Sequence, residues 1–168
     1  LTDLIAQRNI TMLQATPATW RMLLAAGWQG ERRLKALCGG EALTRDLARS
    51  LLARIGELWN MYGPTETTVW STCNRISDAD QPISIGRPLD NTQVYILDAH
   101  LNPVPIGVPG ELHIGGAGLA RGYLNRPELT EQKFIGHPFS AEPGARLYKT
   151  GDLARFLPDG NIEYLGRI

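Results

Sequence analysis

An alternation of short apolar runs and helical segments in the first third of the chain most constrains its fold. Three β-prone runs occupy residues 10–14, 34–38 and 57–61. Between them lie two stretches with apolar residues at helical spacing, and each follows a threonine suited to cap a helix, Thr16 or Thr44. Because a strand–helix–strand–helix–strand order implies right-handed crossovers, we predict a parallel sheet.

The second half of the chain has a different pattern, since the helical period is lost after Pro82. Residues 110–115 alternate like a half-buried strand, and two β-prone runs flank a Pro-Asp-Gly turn at residues 158–160. We therefore predict an α/β fold with a parallel βαβαβ portion at residues 1–81. A β-rich lobe in the form of a distorted barrel is predicted to follow at residues 82–168.

Composition and charge exclude several classes of protein. The 168 residues are 43% hydrophobic, which is enough for a core, and 17 basic residues balance 17 acidic ones. No positive excess is left to neutralise a nucleic acid. No apolar run approaches the ~20 residues of a membrane helix, and the first residues lack the pattern of a signal peptide. Two cysteines, Cys38 and Cys73, form no disulfide framework and no zinc site. We expect a cytoplasmic protein without nucleic-acid or membrane partners.

Three segments of the predicted sheet meet where its strands end. Ligands bind just beyond the carboxyl ends of parallel strands, and residues 14–16, 38–41 and 60–66 all reach that edge. Each segment contains the small, polar or glycine residues that a ligand needs for close approach. Ordinary strand-to-helix turns have the same composition, so both interpretations remain open at this point.

Residues 62–68 carry the most specific chemistry of the three segments. Tyr62 can stack on a nucleobase, Thr65 can hydrogen-bond to a phosphate oxygen, and Glu66 is a hard oxygen ligand suited to Mg²⁺. The alternative is a helix start, in which Thr65 is the cap and Glu66 interacts with the helix dipole.

Three further features of the sequence give weaker evidence for a functional role. The glycine-rich run at residues 115–122 lacks the Lys-Ser/Thr pair of a phosphate loop, so a bend in the β lobe is favoured. The two oxygens of Asp152 can accept hydrogen bonds from both hydroxyls of a ribose, although a lone Asp after a Gly more often forms an Asx turn. The three histidines have no metal-ligand spacing, and His113 is predicted to be structural.

Four motifs, in order, resemble the signatures of adenylate-forming enzymes. They are N-M-Y-G-P-T-E at 60–66, G-E-L-H-I-G-G with L-A-R-G-Y-L at 110–116 and 119–124, Y-K-T-G-D-L at 148–153, and L-G-R at 165–167. Other segments are similar to adenylation domains of nonribosomal peptide synthetases, and acyl-CoA ligases and luciferases usually depart from them. These are G-G-E-A-L at 39–43, G-R-P at 86–88, N-T-Q-V-Y-I-L-D at 91–98 and V-P-I-G-V-P-G at 104–110.

The resemblance implies an adenylate-forming ligase of nonribosomal peptide synthesis. Such a domain joins an amino acid to ATP, giving aminoacyl-AMP and pyrophosphate, and passes the acyl group to a phosphopantetheine thiol on a carrier domain. It implies ATP/AMP and Mg²⁺ as cofactors, and peptidyl carrier and condensation domains of the same megasynthetase as partners. The family's N-terminal phosphate loop, its amino-group-binding Asp and its C-terminal lobe with the catalytic Lys have no match here. We therefore expect an internal fragment with weak or no activity alone.

The resemblance also implies roles for individual residues. Thr65 would touch the α-phosphate and Glu66 would hold Mg²⁺, as the catalytic pair. Tyr62 would stack on adenine, Asn60 would bond its amino group, and Asp152 would bind the ribose. The remaining nucleotide-binding positions are Gly39, Gly40, Glu41, Gly63, Tyr164 and Arg167. The substrate pocket would be formed by Gln14, Ala36, Cys38, Met61, Val69 and Trp70. Because none of these six is charged, we predict an amino acid with an uncharged side chain.

Two alternatives stay open from the sequence. The first is an acyl-CoA or aryl-acid ligase of the same superfamily. The second is a non-catalytic nucleotide-binding or carrier-docking module, against which Glu66 and Asp152 argue, because such a module has no use for a metal-ligand carboxylate.

Overall fold

The computed structural model describes residues 1–168, which divide into two units. The first unit consists of Leu1–Tyr62 and Cys73–Ile85, and the second of Gly63–Thr72 and Gly86–Ile168. The segment Gly63–Thr72 thus clusters with the second half of the chain. The domain boundary between residues 81 and 82 stays a prediction.

A parallel sheet with helical crossovers forms the first unit. Its elements are α1 (Thr2–Gln7), β1 (Met12–Ala15), α2 (Pro17–Ala25), β2 (Glu31–Gly39), α3 (Arg45–Leu52), β3 (Ile55–Tyr62) and, next in the chain, β4 (Thr72–Ile76). The strands are ordered β1-β2-β3-β4, and β2 pairs in parallel with both β1 and β3. The predicted βαβαβ order is therefore confirmed, whereas the short helix α1 was not predicted.

The two predicted helix caps fix where α2 and α3 begin. The Thr16 hydroxyl accepts a hydrogen bond of 3.3 Å from the Thr19 N–H, and the Thr44 hydroxyl accepts one of 3.4 Å from the Leu47 N–H. Each cap satisfies one backbone N–H that has no partner within the helix. The core of this unit is built around fully buried side chains, among them Trp20, Leu34, Leu51 and Leu58.

An antiparallel sheet forms the second unit. Its elements are β6 (Thr92–Leu97), β7 (Gly110–Gly116), α4 (Pro127–Lys133), β8 (Phe134–Gly136), β9 (Arg146–Phe156) and β10 (Ile162–Arg167). The two-residue strand β5 (Arg87–Pro88) precedes them in the chain and is not a strand of this antiparallel sheet. The order is β10-β9-β7-β6, with β8 also paired to β9. The predicted hairpin is confirmed as β9 and β10, and the core includes Leu97, Leu112, Ile114 and Leu147.

The fold class predicted from sequence, a parallel α/β portion followed by a β-rich lobe, is confirmed by these two sheets. None of the helices combines the length and the apolar composition that crossing a membrane requires.

Candidate functional site

The carboxyl ends of three parallel strands are aligned in the first unit. The register places Ala15 of β1, Cys38 of β2 and Asn60 of β3 in one row across the sheet. The loop after β2 begins at the same edge, where Gly39 is buried and Gly40 is exposed with a φ of +86°. This is the edge at which a ligand of a parallel sheet is expected.

Asn60 is the buried polar residue at the end of β3. Its Nδ2 donates a 2.8 Å hydrogen bond to the carbonyl of Ser84, and its side chain is only 4% exposed. This bond fixes the orientation of the amide and leaves Oδ1 as its acceptor group. An acceptor here matches the predicted contact with the amino group of adenine. Tyr62, two residues further along β3, is half-buried.

The predicted pocket residues differ in exposure. Ala36 and Cys38 are fully buried, Met61 and Trp70 are half-buried, and Gln14 and Val69 are exposed. Burial raises the pKa of the Cys38 thiol to about 12, so it stays protonated and is a poor nucleophile. Val69 and Trp70 belong to the second unit and the other four residues to the first.

The segment that contains Glu66 forms a single 3-10 turn, Thr65–Thr67, rather than the start of an α-helix. Its N-terminal residue is Pro64, no side chain caps it, and the chain turns into the left-handed region at Thr68. The alternative in which Thr65 caps a helix is therefore wrong, because the Thr67 and Thr68 N–H groups that its hydroxyl would cap donate to the carbonyls of Pro64 and Thr65. The Thr65 residue is exposed instead.

Two consecutive β-branched residues after this turn have positive φ. Thr68 is at +63° and Val69 at +69°, a conformation that costs such residues of order 1–3 kcal/mol each. It is maintained by the Thr68 hydroxyl, which donates a 2.7 Å hydrogen bond to the carbonyl of Gly118, and by the Ala120 N–H, which donates one of 2.8 Å to the carbonyl of Glu66. Backbone strain of this kind is concentrated at functional sites. No sequence pattern predicted the positive φ values of Thr68 and Val69.

Glu66 is held by tyrosines of the second unit. The Tyr123 hydroxyl donates a 2.5 Å hydrogen bond to Glu66 Oε1 and lies 3.5 Å from the Tyr148 hydroxyl. Burial raises the pKa of Glu66, but the hydrogen bonds from Tyr123, its own backbone N–H and Tyr148, with the charge of Lys133, outweigh burial and lower that pKa overall. Glu66 is therefore a carboxylate at neutral pH, positioned by groups that sequence reasoning missed, although both tyrosines lie inside the quoted motifs.

The donor set around Glu66 fits a magnesium ion only in the presence of further ligands. No group of three or more His, Cys, Asp or Glu side chains that could hold a metal occurs in residues 1–168. Mg²⁺ is commonly bound by one or two carboxylates, with substrate phosphates and water completing the octahedron. A single ionised glutamate fits that pattern and does not form a cation site by itself.

Asp152 lies within β9 and is only 5% exposed. Arg167, opposite it on β10, donates a 2.9 Å hydrogen bond from Nη1 to Asp152 Oδ1. The Asx-turn alternative for Asp152 is wrong, because the residue is part of the β9–β10 ladder. Tyr164 is half-buried nearby, and its pKa is raised by burial and then by the negative charge of Asp152.

Strand β9 connects the surroundings of Glu66 and Asp152. Tyr148 and Asp152 are four residues apart on it, which is at most ~14 Å along a strand. The carboxylates of Glu66 and Asp152, each of which accepts a side-chain hydrogen bond, therefore belong to the same unit. His113, in the same sheet as β9, is fully buried and its Nδ1 contacts the Glu111 carbonyl at 3.0 Å, as expected for a structural residue.

Comparisons with known proteins identify peptide synthetases with similar sequences. The chain is 51% identical over 172 residues to a linear gramicidin synthase of Brevibacillus parabrevis, covering 99% of this chain and 3% of that protein. It is 45% identical to a dimodular nonribosomal peptide synthase of Bacillus subtilis, covering 99% and 7%. The chain thus spans a small fraction of the length of these curated relatives.

Two solved structures are similar over almost the whole chain. One is a four-domain nonribosomal peptide synthetase, holo-AB3403, bound to AMP and glycine, with a TM-score of 0.93, 53% identity and coverage of 99% of this chain and 13% of that one. The other is the N-terminal subdomain of Klebsiella oxytoca NpsA in complex with 3-hydroxybenzoyl-AMSN, with a TM-score of 0.88, 28% identity and coverage of 99% and 44%.

The family model described as AMP-binding enzyme matches residues 1–124, which is most of the 168 residues. That segment includes the aligned strand ends, the Glu66 turn and Tyr123. On this match the chain belongs to the AMP-binding enzyme family.

Proposed function

We propose that this chain is part of an adenylation domain that activates an amino acid for nonribosomal peptide synthesis. The observation that carries the proposal is the pair of fixed carboxylates in the second unit, Glu66 held by Tyr123 and Asp152 held by Arg167. One can ligate a metal with the phosphates of ATP, and the other can accept hydrogen bonds from its ribose.

The proposed reaction is a displacement at the α-phosphorus of ATP. A carboxylate oxygen of the amino acid forms a bond to that phosphorus, and the bond from phosphorus to the oxygen bridging to the β-phosphate breaks, releasing pyrophosphate. Mg²⁺, when bound, neutralises phosphate charge. Glu66 would hold this ion, and the exposed Thr65 hydroxyl would donate a hydrogen bond to an α-phosphate oxygen.

Each part of the nucleotide has candidate contacts in the chain. The Oδ1 atom of Asn60 accepts a hydrogen bond from the adenine amino group, and Tyr62 stacks on the base. Asp152 accepts hydrogen bonds from the ribose hydroxyls, with Arg167 and Tyr164 beside it. The backbone that can approach the nucleotide closely is supplied by Gly39, Gly40 and Glu41.

The proposed substrate is an amino acid with an uncharged side chain. The supporting observation is that none of the pocket candidates Gln14, Ala36, Cys38, Met61, Val69 and Trp70 offers a counter-charge, and leaving a charge unpaired in a pocket is costly. The acyl group would then pass to the phosphopantetheine thiol of a carrier domain. Carrier and condensation domains are proposed as partners because the similar proteins are peptide synthetases.

The test is ATP–pyrophosphate exchange by the complete protein that carries this sequence, measured across the amino acids. We expect the strongest exchange with an uncharged amino acid. Glu66→Gln should reduce exchange by about 100-fold or more, the usual loss for a group that stabilises transition-state charge. Glu142→Gln, in an exposed loop, is the matched control. Strongest exchange with a lysine-, ornithine-, aspartate- or glutamate-type substrate would overturn the substrate assignment.

A second candidate substrate class is an aryl acid. It is favoured by the likeness to the NpsA subdomain, whose complex contains 3-hydroxybenzoyl-AMSN. The same exchange assay with benzoate derivatives separates the two classes. Unchanged activity of Glu66→Ala would instead favour a non-catalytic module.

A further inference from the structure

The strand pair β7–β9 contains a bulge at Asp152. The register pairs His113 with Lys149 and Glu111 with Leu153, so three residues of β9 lie opposite Leu112 alone. These three are Thr150, Gly151 and Asp152. Because a bulge interrupts the ladder, its peptide groups need partners other than the neighbouring strand.

Side chains and the residue that follows β10 supply most of these partners. The Thr150 hydroxyl donates a 2.7 Å hydrogen bond to the Leu112 carbonyl and accepts one of 3.0 Å from the Asp152 N–H. The Thr150 carbonyl accepts a hydrogen bond of 3.1 Å from Arg167 Nη1, and the Gly151 carbonyl accepts one of 2.9 Å from the Ile168 N–H.

The Gly151 N–H is the group that reaches a carboxylate. It donates a 3.1 Å hydrogen bond to Oε1 of Glu111, a residue 40 positions earlier in the chain. The second oxygen of Glu111 lies 3.8 Å from Lys149 Nζ and 3.9 Å from Nε2 of the fully buried His113. The hydrogen bond from Gly151 therefore holds one oxygen of the carboxylate, and the other oxygen lies at ion-pair distance from the Lys149 ammonium.

The conformation of Gly151 explains why this contact matters for Asp152. Gly151 has a φ of +72°, in the left-handed region that side chains rarely adopt. The peptide on its N-terminal side sets the direction in which the chain leaves the bulge, and Asp152 is the next residue. A rotation of that peptide would therefore redirect the Asp152 carboxylate.

We propose that Glu111 is a positioning residue for Asp152: by accepting the Gly151 N–H it fixes the bulge that directs the Asp152 carboxylate at the nucleotide ribose. This inference rests on the proposed function, in which Asp152 accepts hydrogen bonds from the ribose hydroxyls. Glu111 itself touches no nucleotide in this scheme.

The experiment measures discrimination between ATP and its 2′-deoxy and 3′-deoxy analogues in pyrophosphate exchange by the complete protein. Discrimination is the ratio of kcat/KM for ATP to kcat/KM for each analogue. The variants are Glu111→Met, which keeps volume but removes the acceptor, Glu111→Gln, which keeps an acceptor oxygen, and Asp152→Ala. Glu163→Met is the matched control, because Glu163 pairs with Arg155 in the same hairpin. Hydrogen exchange of the Gly151 amide is followed in each variant.

We expect Asp152→Ala and Glu111→Met each to lower discrimination by about 10-fold, the factor that corresponds to one hydrogen bond of ~1.4 kcal/mol. The KM for ATP should rise more than kcat falls, and the Gly151 amide should exchange faster in Glu111→Met. Glu111→Gln and Glu163→Met should keep the discrimination of the unmodified protein.

A loss of discrimination in Asp152→Ala but not in Glu111→Met would overturn this inference and leave the ribose assignment standing. Unchanged discrimination in Asp152→Ala would overturn the ribose assignment and the inference with it. If Glu111→Met does not fold, Glu111→Gln decides, since a loss of discrimination with the acceptor oxygen retained contradicts a role through the Gly151 N–H.

Discussion

The hydroxyl of Tyr123 donates a 2.5 Å hydrogen bond to Oε1 of Glu66, a residue 57 positions earlier in the chain. The bond closes a loop in which the Glu66 carbonyl also accepts the Ala120 N–H. The side chain and the backbone of Glu66 are thus both hydrogen-bonded to residues 120–123, which precede α4. Hydrogen bonds to a charged acceptor are stronger than those between neutral groups. This contact therefore orients the Glu66 carboxylate and also favours its ionised form.

Removing the Tyr123 hydroxyl should raise the pKa of Glu66. In Tyr123→Phe the carboxylate loses a donor that stabilises its charged form, while the burial that disfavours this form remains. Titration of the Glu66 side-chain carboxyl by ¹³C NMR measures the shift. Tyr95→Phe, whose ring packs on His137 and Phe139, is the control. A Glu66 pKa that is equal in both variants would contradict the assigned hydrogen bond.

Glu66 should contribute to stability at neutral pH and lose that contribution in acid. Its pKa in the folded state lies below the ordinary value of 4.5, so folding favours the ionised form. The contribution is complete above pH 4.5 and disappears as the pH falls through the folded-state pKa. Urea unfolding of the complete protein and of Glu66→Gln should therefore give different free energies of unfolding at pH 7, and the two values should approach each other as the pH falls below 4.5. If the difference between the two free energies of unfolding instead grew in acid, the ionised form of Glu66 would not be the one that stabilises the fold.

Gly63→Ala should destabilise the protein by about 1–3 kcal/mol through overpacking. A Cβ on Gly63 would lie 2.5 Å from the carbonyl oxygen of Val69 and 2.7 Å from the Ser71 nitrogen, both of which are backbone atoms. The strained turn at Thr68 and Val69 would have to move. Gly136→Ala is the control because its Cβ meets nothing within 4 Å. Equal unfolding midpoints for the two variants would show that the turn adapts.

Leu58→Ala should cost about 2–5 kcal/mol of unfolding free energy by leaving a cavity in the first unit. Leu58 lies in the central strand β3 and is fully buried. Met22→Ala is the matched truncation, since Met22 is 71% exposed on α2. Its expected effect is within about 0.5 kcal/mol. Chemical denaturation measures both, and a small effect of Leu58→Ala would mean that the core collapses around the missing atoms.

The N-terminal part of strand β9 is not indicated by the sequence pattern. The sequence predicts only a β-prone run directly before the turn at residues 158–160, whereas β9 begins at Arg146. Polar Lys149 and Thr150, with Gly151, interrupt the alternation that signals a strand. Their backbone is nevertheless held in the sheet by partners such as Glu111 and Arg167. The hydrogen bonds that keep this part of β9 in the sheet therefore come from residues distant in sequence, which the local pattern does not include.

Local sequence was sufficient to specify the βαβαβ order from β1 to β3, the caps at Thr16 and Thr44, and the turn at residues 158–160 between β9 and β10. Each of these depends on interactions within about four residues, which propensity and periodicity record. Tertiary packing was needed for the positive φ of Val69, the bond from Tyr123 to Glu66 and the bond from Gly151 to Glu111. These contacts join residues that only the packing of complete sheets brings within hydrogen-bonding distance, so no local pattern encodes them.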